Sequence, residues 1–272
     1  MKILVTGATA NIGRKVVDHL LALGARDIRA LTNNPGRAAL PEGVEVAEGY
    51  LRRVDTLPAA FEGVDRMYLA PTPDTVTEVL ALARAAGVRH VVDLSGEPEG
   101  WWGKVTTAVE ASGLTWTHLW PADFMENTAF WAKQIKETGA VREPYPGATS
   151  APIAMADIAA VAATALTSPI DEQAGRAYPL AGPEALSRGE LLRLLGRALG
   201  REIPFIEVSQ EEAVEALTPS LGDNAGWYVR RVLATTAETP GVASTAVEEI
   251  TGRQPTTFAQ WAAEHAAEFT GS

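Results

Sequence analysis

Cysteine is absent from all 272 residues. Its absence excludes disulfides, thiol catalysis and cysteine-ligated metal. Histidine is almost as scarce: His19, His90, His118 and His265 are scattered, without the close spacing of a ligand pair, so no metal is expected. Lysine and arginine number 23 against 34 acidic residues, a formal net charge of −11, and the basic residues form no stripe. A nucleic-acid partner is therefore not expected, because phosphate binding needs clustered cations. No run of about 18 apolar residues occurs that would span a membrane. The opening MKILVTGATA lacks the apolar core and cleavage site of a secretory signal. These absences, with 46% apolar and 21% charged residues, lead to the expectation of a cytoplasmic globular protein with no membrane partner. Nothing in the composition points to an oligomer.

What the chain does have is alternation. KILVT (2–6) is a short apolar run, and from Ile12 the spacing turns helical, with Ile12, Val16, Leu20 and Leu23 on one face up to Gly24. Further strands are predicted at IRALT (28–32), VEVA (44–47), VDRMYLA (64–70), VRHVVDLS (88–95) and LTWTHLW (114–120). Helices are predicted over 74–86 and over VTTAVEAS, which ends at Gly113. Strands separated by helices at this pace mean β-α-β crossovers, and hence an α/β fold with a doubly wound parallel sheet.

Beyond about residue 150 the pattern loosens. Ser187 and Glu190, then Ser209 and Glu212, have capping-box spacing, and IPFIEV (203–208) reads as a strand between them. Helices follow over 243–268. The expected division is 1–150 for dinucleotide binding and 151–272 for a smaller lobe forming part of a substrate cleft. PSLGDNAGWY (219–228) carries turn signals and reads as a loop, or as a lid bringing Trp227 or Tyr228 into a pocket.

Gly7-Ala8-Thr9-Ala10-Asn11-Ile12-Gly13 lies between the first strand and the first helix. A dinucleotide site needs a tight turn at its first glycine, close backbone approach at the second position and helix–strand packing at the last. The helix N-terminus then offers N–H groups to the pyrophosphate. The middle position here is Ala10, one methyl more than glycine. At the end of the second strand, where an acid would bind the ribose of NAD, the chain reads Thr32-Asn33-Asn34, with Arg37 a turn later. NADP(H) is favoured over NAD(H), with Asn33 and Arg37 as candidate contacts. The cofactor set also takes in Ala70, Pro71, Thr72, Ser95 and Pro121, which follow the fourth, fifth and sixth strands.

ILVTGATANIG, ARAAGVRHVVDLS (83–95), SGLTWTHLWPADFMEN (112–127), PIAMADIAAVAATAL (152–166) and GRAYPLAGPEALSRGELLRLLGRALGREI (175–203) together resemble the NmrA-like family of atypical short-chain dehydrogenases/reductases. Within it the pattern is similar to NADPH-dependent quinone oxidoreductases. The resemblance implies a Rossmann sheet with a C-terminal substrate lobe, and a family of reductases alongside dinucleotide-sensing regulators. Departures are specific. Asn33 stands where the family usually has Arg, Gly49-Tyr50 where it has Gly-Asp, and Trp120 in Leu-Trp-Pro where Leu-Arg-Pro is common. The Tyr-x-x-x-Lys acid of short-chain dehydrogenases is missing, because Gly100 lies four residues before Lys104. The lone lysine of the isoflavone-type reductases would fall at Trp102.

Trp101, Trp102, Trp116, Trp120 and Trp131 crowd into a short stretch that the resemblance places on the nicotinamide and substrate side. Trp116, inside a strand, and His118 between two indoles read as core. The expected substrate pocket comprises Trp101, Trp102, Trp120, Phe124, Asn127, Tyr145 and Tyr228, with Asp123 and Lys104 as catalytic candidates. The partner they suit is a small aromatic or quinone-like molecule, stacked on flat indole surface. The leading expectation is an NAD(P)H-dependent reductase of a quinone-like or polycyclic aromatic carbonyl. The alternatives are a non-redox cyclase, dehydratase or epimerase, and a dinucleotide-sensing regulator without turnover.

Overall fold

The computed structural model describes residues 1–100 and 102–271, so the expected pocket residue Trp101 lies outside the described residues. The chain opens with β1 (Ile3–Val5), α1 (Asn11–Ala22), β2 (Ile28–Thr32) and β3 (Glu45–Glu48). A short α2 (Pro58–Phe61) leads to β4 (Arg66–Leu69), α3 (Val76–Ala85), β5 (His90–Leu94), α4 (Gly103–Ala111) and β6 (Thr115–Pro121). Then come α5 (Ala132–Thr138), β7 (Val141–Glu143), β8 (Thr149–Ser150), α6 (Met155–Thr167), α7 (Ile170–Gln173) and β9 (Arg176–Leu180). The last third holds β10 (Leu186–Ser187), α8 (Arg188–Ala198), β11 (Phe205–Glu207), α9 (Gln210–Leu221), α10 (Ala225–Trp227), α11 (Ala234–Glu238), α12 (Ala246–Thr251) and α13 (Phe258–Glu264).

Seven strands form one parallel sheet in the order β3-β2-β1-β4-β5-β6-β9. This is the doubly wound Rossmann sheet read from the alternation. β1, β2, β4 and β5 are buried along their whole length, which is why they appear as near-continuous apolar runs. Strand order reverses between β1 and β4, and ligands of open α/β sheets bind beyond the carboxyl ends of strands at such a point. On one face α1 buries Ile12, Val16, Val17 and Leu20. A core of Phe61, Met67, Leu80, Val91, Val105 and Val109 joins the sheet to α2, α3 and α4.

The chain forms two compact units, and they are not divided at residue 150. The first comprises Met1–Pro121, Met155–Leu180 and Ala246–Arg253; the second comprises Ala122–Ala154, Ala181–Thr245 and Gln254–Ser272. The polypeptide leaves the sheet after β6 and returns to it twice. The apolar run of α6, with Ile158, Val161 and Leu166 fully buried, packs on α1, and β9 pairs with β6 as the seventh strand. α12 comes back to α6 and β9. Sequence order gave no sign of these returns, because α6 and β9 complete the core of the earlier unit.

In the second unit both expected capping boxes are present, at Ser187–Glu190 and Ser209–Glu212, and β11 falls inside the expected strand. Residues 219–228 differ from expectation: they are helical. Gly222–Asn224 make a single 3-10 turn, and α10 then runs into a π-helical turn over Tyr228–Leu233. Ala225, Tyr228, Val229 and Leu233 form a buried stripe against Ala213 and Leu217 of α9. That burial overrides the local turn signals.

Candidate functional site

The loop between β1 and α1 is built on two glycines. Gly7 has φ of +60°, in the left-handed region that favours glycine, and its carbonyl accepts the Ala10 N–H at 2.9 Å. A Cβ on Gly13 would lie 2.1 Å from the Gly7 oxygen, so helix and turn approach as closely as backbone allows. Ala8 is fully buried and donates its N–H to Leu31 O, while Ile12 packs inward. Thr9, Ala10 and Asn11 are exposed. Thr9 Oγ1 lies 3.3 Å from Thr32 Oγ1. The N-terminus of α1 has no side-chain cap and no acid in its first turn, leaving backbone donors and a partial positive charge free for an anion.

A cleft of about 250 Å3 opens here, lined by Gly7, Thr9 and Ala10, then Leu31, Thr32 and Asn33, the Gly49–Arg52 turn, and Ala70, Pro71 and Thr72. Each group follows the carboxyl end of one of the four strands around the switch point, β1 to β4. Thr6 Oγ1 accepts the Ala70 N–H at 2.8 Å, and Thr72 Oγ1 lies 2.7 Å from Thr75 Oγ1, fixing the fourth wall. Of the fourteen residues expected to hold the cofactor, seven line this cleft: Gly7, Thr9, Ala10, Asn33, Ala70, Pro71 and Thr72. Arg37 is not among the lining residues; it lies exposed in a short 3-10 turn. Arg52, which sequence reasoning passed over, is among them. The close-packed Gly7–Gly13 contact, the uncapped helix and a lining free of carboxylates among the described residues fit a nicotinamide dinucleotide.

Further along the sheet, Ser95 is buried and accepts from Thr106 Oγ1 of α4 at 3.0 Å, while Pro121 ends β6 half-buried. Lys104 is exposed on α4, and Trp102, 38% exposed, precedes that helix. Trp116, His118 and Trp120 alternate along β6 with their rings stacked: centroids lie 4.1 Å apart for the first pair and 5.8 Å for the second. His118 Nδ1 meets Asp93 Oδ2 of β5 at 2.6 Å, and both side chains are buried. Asp93 Oδ1, His118 Nε2 and Trp120 Nε1 have no hydrogen-bond partner among the described residues. Sequence reasoning placed His118 in the core but did not pair it with Asp93; the available signal was an acid between Val92 and Leu94 in the buried strand HVVDL. His90, on the opposite face, lies 2.9 Å from Thr117 Oγ1, and burial, with Arg66 nearby, pushes its pKa down to about 4.

In the second unit, Asp123 accepts from Asn127 Nδ2 at 2.8 Å on one oxygen and from Ser150 Oγ at 3.0 Å on the other. It does not cap the following 3-10 helix. Phe124 is half-buried and its backbone bridges to Ile153. Tyr145 adopts φ of +61°, packs beside Phe130 and Tyr228, and accepts from Gln210 Nε2 at 2.5 Å. Tyr228 is 5% exposed and edge-on to Phe130, with ring centroids 5.4 Å apart, and burial raises its phenol pKa. It is a packed residue at the head of the π-helical turn and not the tip of a loop. Beneath it, Arg188 donates twice to Glu143 Oε2, at 3.0 and 2.6 Å, and Trp131 Nε1 donates to Glu143 Oε1 at 2.7 Å. The Arg188 guanidinium also lies 4.6 Å from the Trp131 ring centroid. Trp131 is thus core, and this buried pair was missed; its trace in the sequence was an acid at an inward position of the short strand VRE.

Residues 7–97 match a family model described as NAD(P)H-binding. The chain is 37% identical to NAD(P)H azoreductase of Xenophilus azovorans, over 98% of this chain and 99% of that protein. It is also 37% identical, with the same shares of each covered, to the (4-alkanoyl-5-oxo-2,5-dihydrofuran-3-yl)methyl phosphate reductase of Streptomyces griseus. Among solved structures, an NADPH-dependent quinone oxidoreductase from Escherichia coli superposes with a TM-score of 0.84 at 25% identity, covering 96% of this chain and 98% of the other.

Proposed function

Because the chain belongs to the NmrA-like family of atypical short-chain dehydrogenases/reductases and is an NAD(P)H-dependent reductase, we propose that it uses NADPH to reduce a flat, conjugated acceptor of the quinone-like or polycyclic aromatic carbonyl class. The observation that carries the reading is the cradle at the switch point, where Gly13 is pressed against the Gly7 carbonyl and α1 starts without a cap. When bound, the nicotinamide supplies a hydride, which with one proton converts a quinone to the hydroquinone and leaves NADP+. The residues of the cradle hold the dinucleotide: backbone donors at the start of α1 take the pyrophosphate, and Ala70, Pro71 and Thr72 wall the cleft.

The donors present and missing support the proposed acceptor class. The Tyr-x-x-x-Lys acid is absent, and Asp123 has both oxygens engaged as acceptors, holding the Asn127 amide and the Ser150 hydroxyl in place. Reduction of a quinone spreads the incoming charge over a conjugated oxygen that water can protonate, and it does not require a strong positioned acid. Trp102 and Trp120 supply flat apolar surface for such a ring. Full-length similarity to an azoreductase supports the same aromatic class.

The test follows NADPH absorbance with a panel of quinones and polycyclic carbonyls, with NADH in parallel. Turnover with NADPH supports the reading. Absence of turnover across the panel, with cofactor bound, overturns it in favour of a regulator or a non-redox enzyme.

A further inference from the structure

The turn after β3 brings into the cleft a cation, Arg52, to which the proposed reduction assigns no role. Leu51 is buried in the sheet core, and its carbonyl accepts from Thr75 Oγ1 at 2.8 Å. The turn is closed by Arg53 N–H to Tyr50 O at 2.8 Å and by the Tyr50 N–H to Thr56 Oγ1 at 3.0 Å. With Leu51 anchored inward, its neighbours Tyr50 and Arg52 are exposed, and both line the cleft that Asn33 and Thr9 line as well.

Arg52 makes no ion pair or side-chain hydrogen bond among the described residues. Arg37 is unpaired among the described residues as well, but it does not line the cleft, whereas Arg52 does. No carboxylate lines the cleft among the described residues, and Tyr50 and Asn33 bring no charge to it. A guanidinium offers a fork of N–H donors matched to phosphate oxygens. The same cleft opens on the uncapped start of α1, so two separate sources of positive potential face it.

We propose that Arg52, reaching into the cleft from the turn after β3, is the residue that recognises the 2′-phosphate of NADPH, in place of any cation at the end of β2. The assignment rests on the reading that this cleft holds a nicotinamide dinucleotide. Arg52 acts as a specificity residue and touches no reacting atom. The contact is exposed and electrostatic, so the preference it creates weakens as salt rises.

Two fragments isolate this contact from hydride transfer. Wild type, Arg52→Ala and Arg37→Ala are titrated calorimetrically with 2′,5′-ADP and with 5′-AMP at low and high salt. The expected result is that Arg52→Ala loses about ten-fold in affinity for 2′,5′-ADP, the equivalent of one charge-assisted contact, with 5′-AMP changed little. Equal losses for both fragments would make Arg52 an adenine contact and overturn the assignment. So would an unchanged Arg52→Ala, or the selective loss appearing in Arg37→Ala instead. If wild type binds 5′-AMP but gains nothing from the 2′-phosphate, only the Arg52 assignment fails. If it binds neither fragment, the dinucleotide reading of the cleft falls with it.

Discussion

Replacing Gly13 with alanine puts a methyl group in place of one hydrogen, and the structure shows where that carbon goes. It would lie 2.1 Å from the Gly7 carbonyl oxygen and 2.7 Å from the Gly7 carbonyl carbon. Ordinary contact begins near 3.4 Å, so backbone must retreat by about 1 Å, with no side-chain rotation available to absorb it. Overpacking of this kind costs about 1–3 kcal/mol. The better helix propensity of alanine offsets up to about 1 kcal/mol of that. The net loss is about 1–2 kcal/mol, which lowers Tm by about 2–6 °C for a chain of this size. The larger effect falls on binding, because the displaced Gly7 carbonyl belongs to the turn that shapes the cleft. Gly13→Ala should lose at least about ten-fold in NADPH affinity, or about 1.4 kcal/mol. Thermal melts with and without NADPH, together with tryptophan-fluorescence titration, measure both quantities. Ala10→Gly, at an exposed position with ordinary dihedrals, removes the extra methyl and should leave affinity intact or improved. A Gly13→Ala protein with unchanged Tm and unchanged NADPH affinity would refute the cradle argument.

Other outcomes follow from buried groups. His90 is fully buried; Thr117 Oγ1 spends its proton on Gln173 O at 2.8 Å, so the His90 ring donates from Nε2 and is neutral. Its pKa is pushed down to about 4 from an ordinary 6.5, so between those values the unfolded chain binds a proton that the folded chain refuses. Stability from this group is full above pH 6.5 and falls by up to about 3 kcal/mol as pH drops to 4, at about 1.4 kcal/mol per pH unit. Urea unfolding at pH 7.5 and pH 5 should show a smaller pH dependence for His90→Gln than for wild type; equal dependence would contradict the assignment. Arg188→Met leaves the Glu143 carboxylate buried with only the Trp131 indole, and should destabilise by about 3–5 kcal/mol. Adding Glu143→Met should recover much of that loss in the same urea measurement, because the stranded charge is gone.

The parts of the molecule open to sequence reading are those fixed by local chemistry. Gly7 and Gly13 were identifiable because a strand, a turn and a helix cannot meet there with side chains in the way. IRALT became β2 residue for residue, since Ile28, Ala30 and Leu31 mark a strand buried on both faces even with Arg29 and Thr32 among them. The capping boxes at Ser187 and Ser209 depend on three-residue spacing alone. What escaped depends on register or on distant packing. Asp93 and His118 meet because β5 and β6 pair in one particular register. Arg52 faces the cleft because Leu51 is pulled into a core whose other members lie far along the chain, whereas Arg37 is near Asn33 in sequence yet outside the lining. Residues 219–228 carry turn residues, but Ala225, Tyr228 and Val229 had a buried surface to join, and helix won. The return of α6 and β9 to the sheet likewise follows from what the core lacked after β6.

Hydride transfer from NADPH to a quinone-like acceptor is the reaction proposed for this chain. The most direct measurement is an anaerobic reaction of the purified protein with NADPH and a quinone, quantifying NADPH consumed and hydroquinone formed and repeating it with NADPH deuterated at C4. The expected result is one hydroquinone per NADPH and slower turnover with the deuterated cofactor. NADPH bound but not consumed, across quinones and polycyclic carbonyls alike, would contradict it.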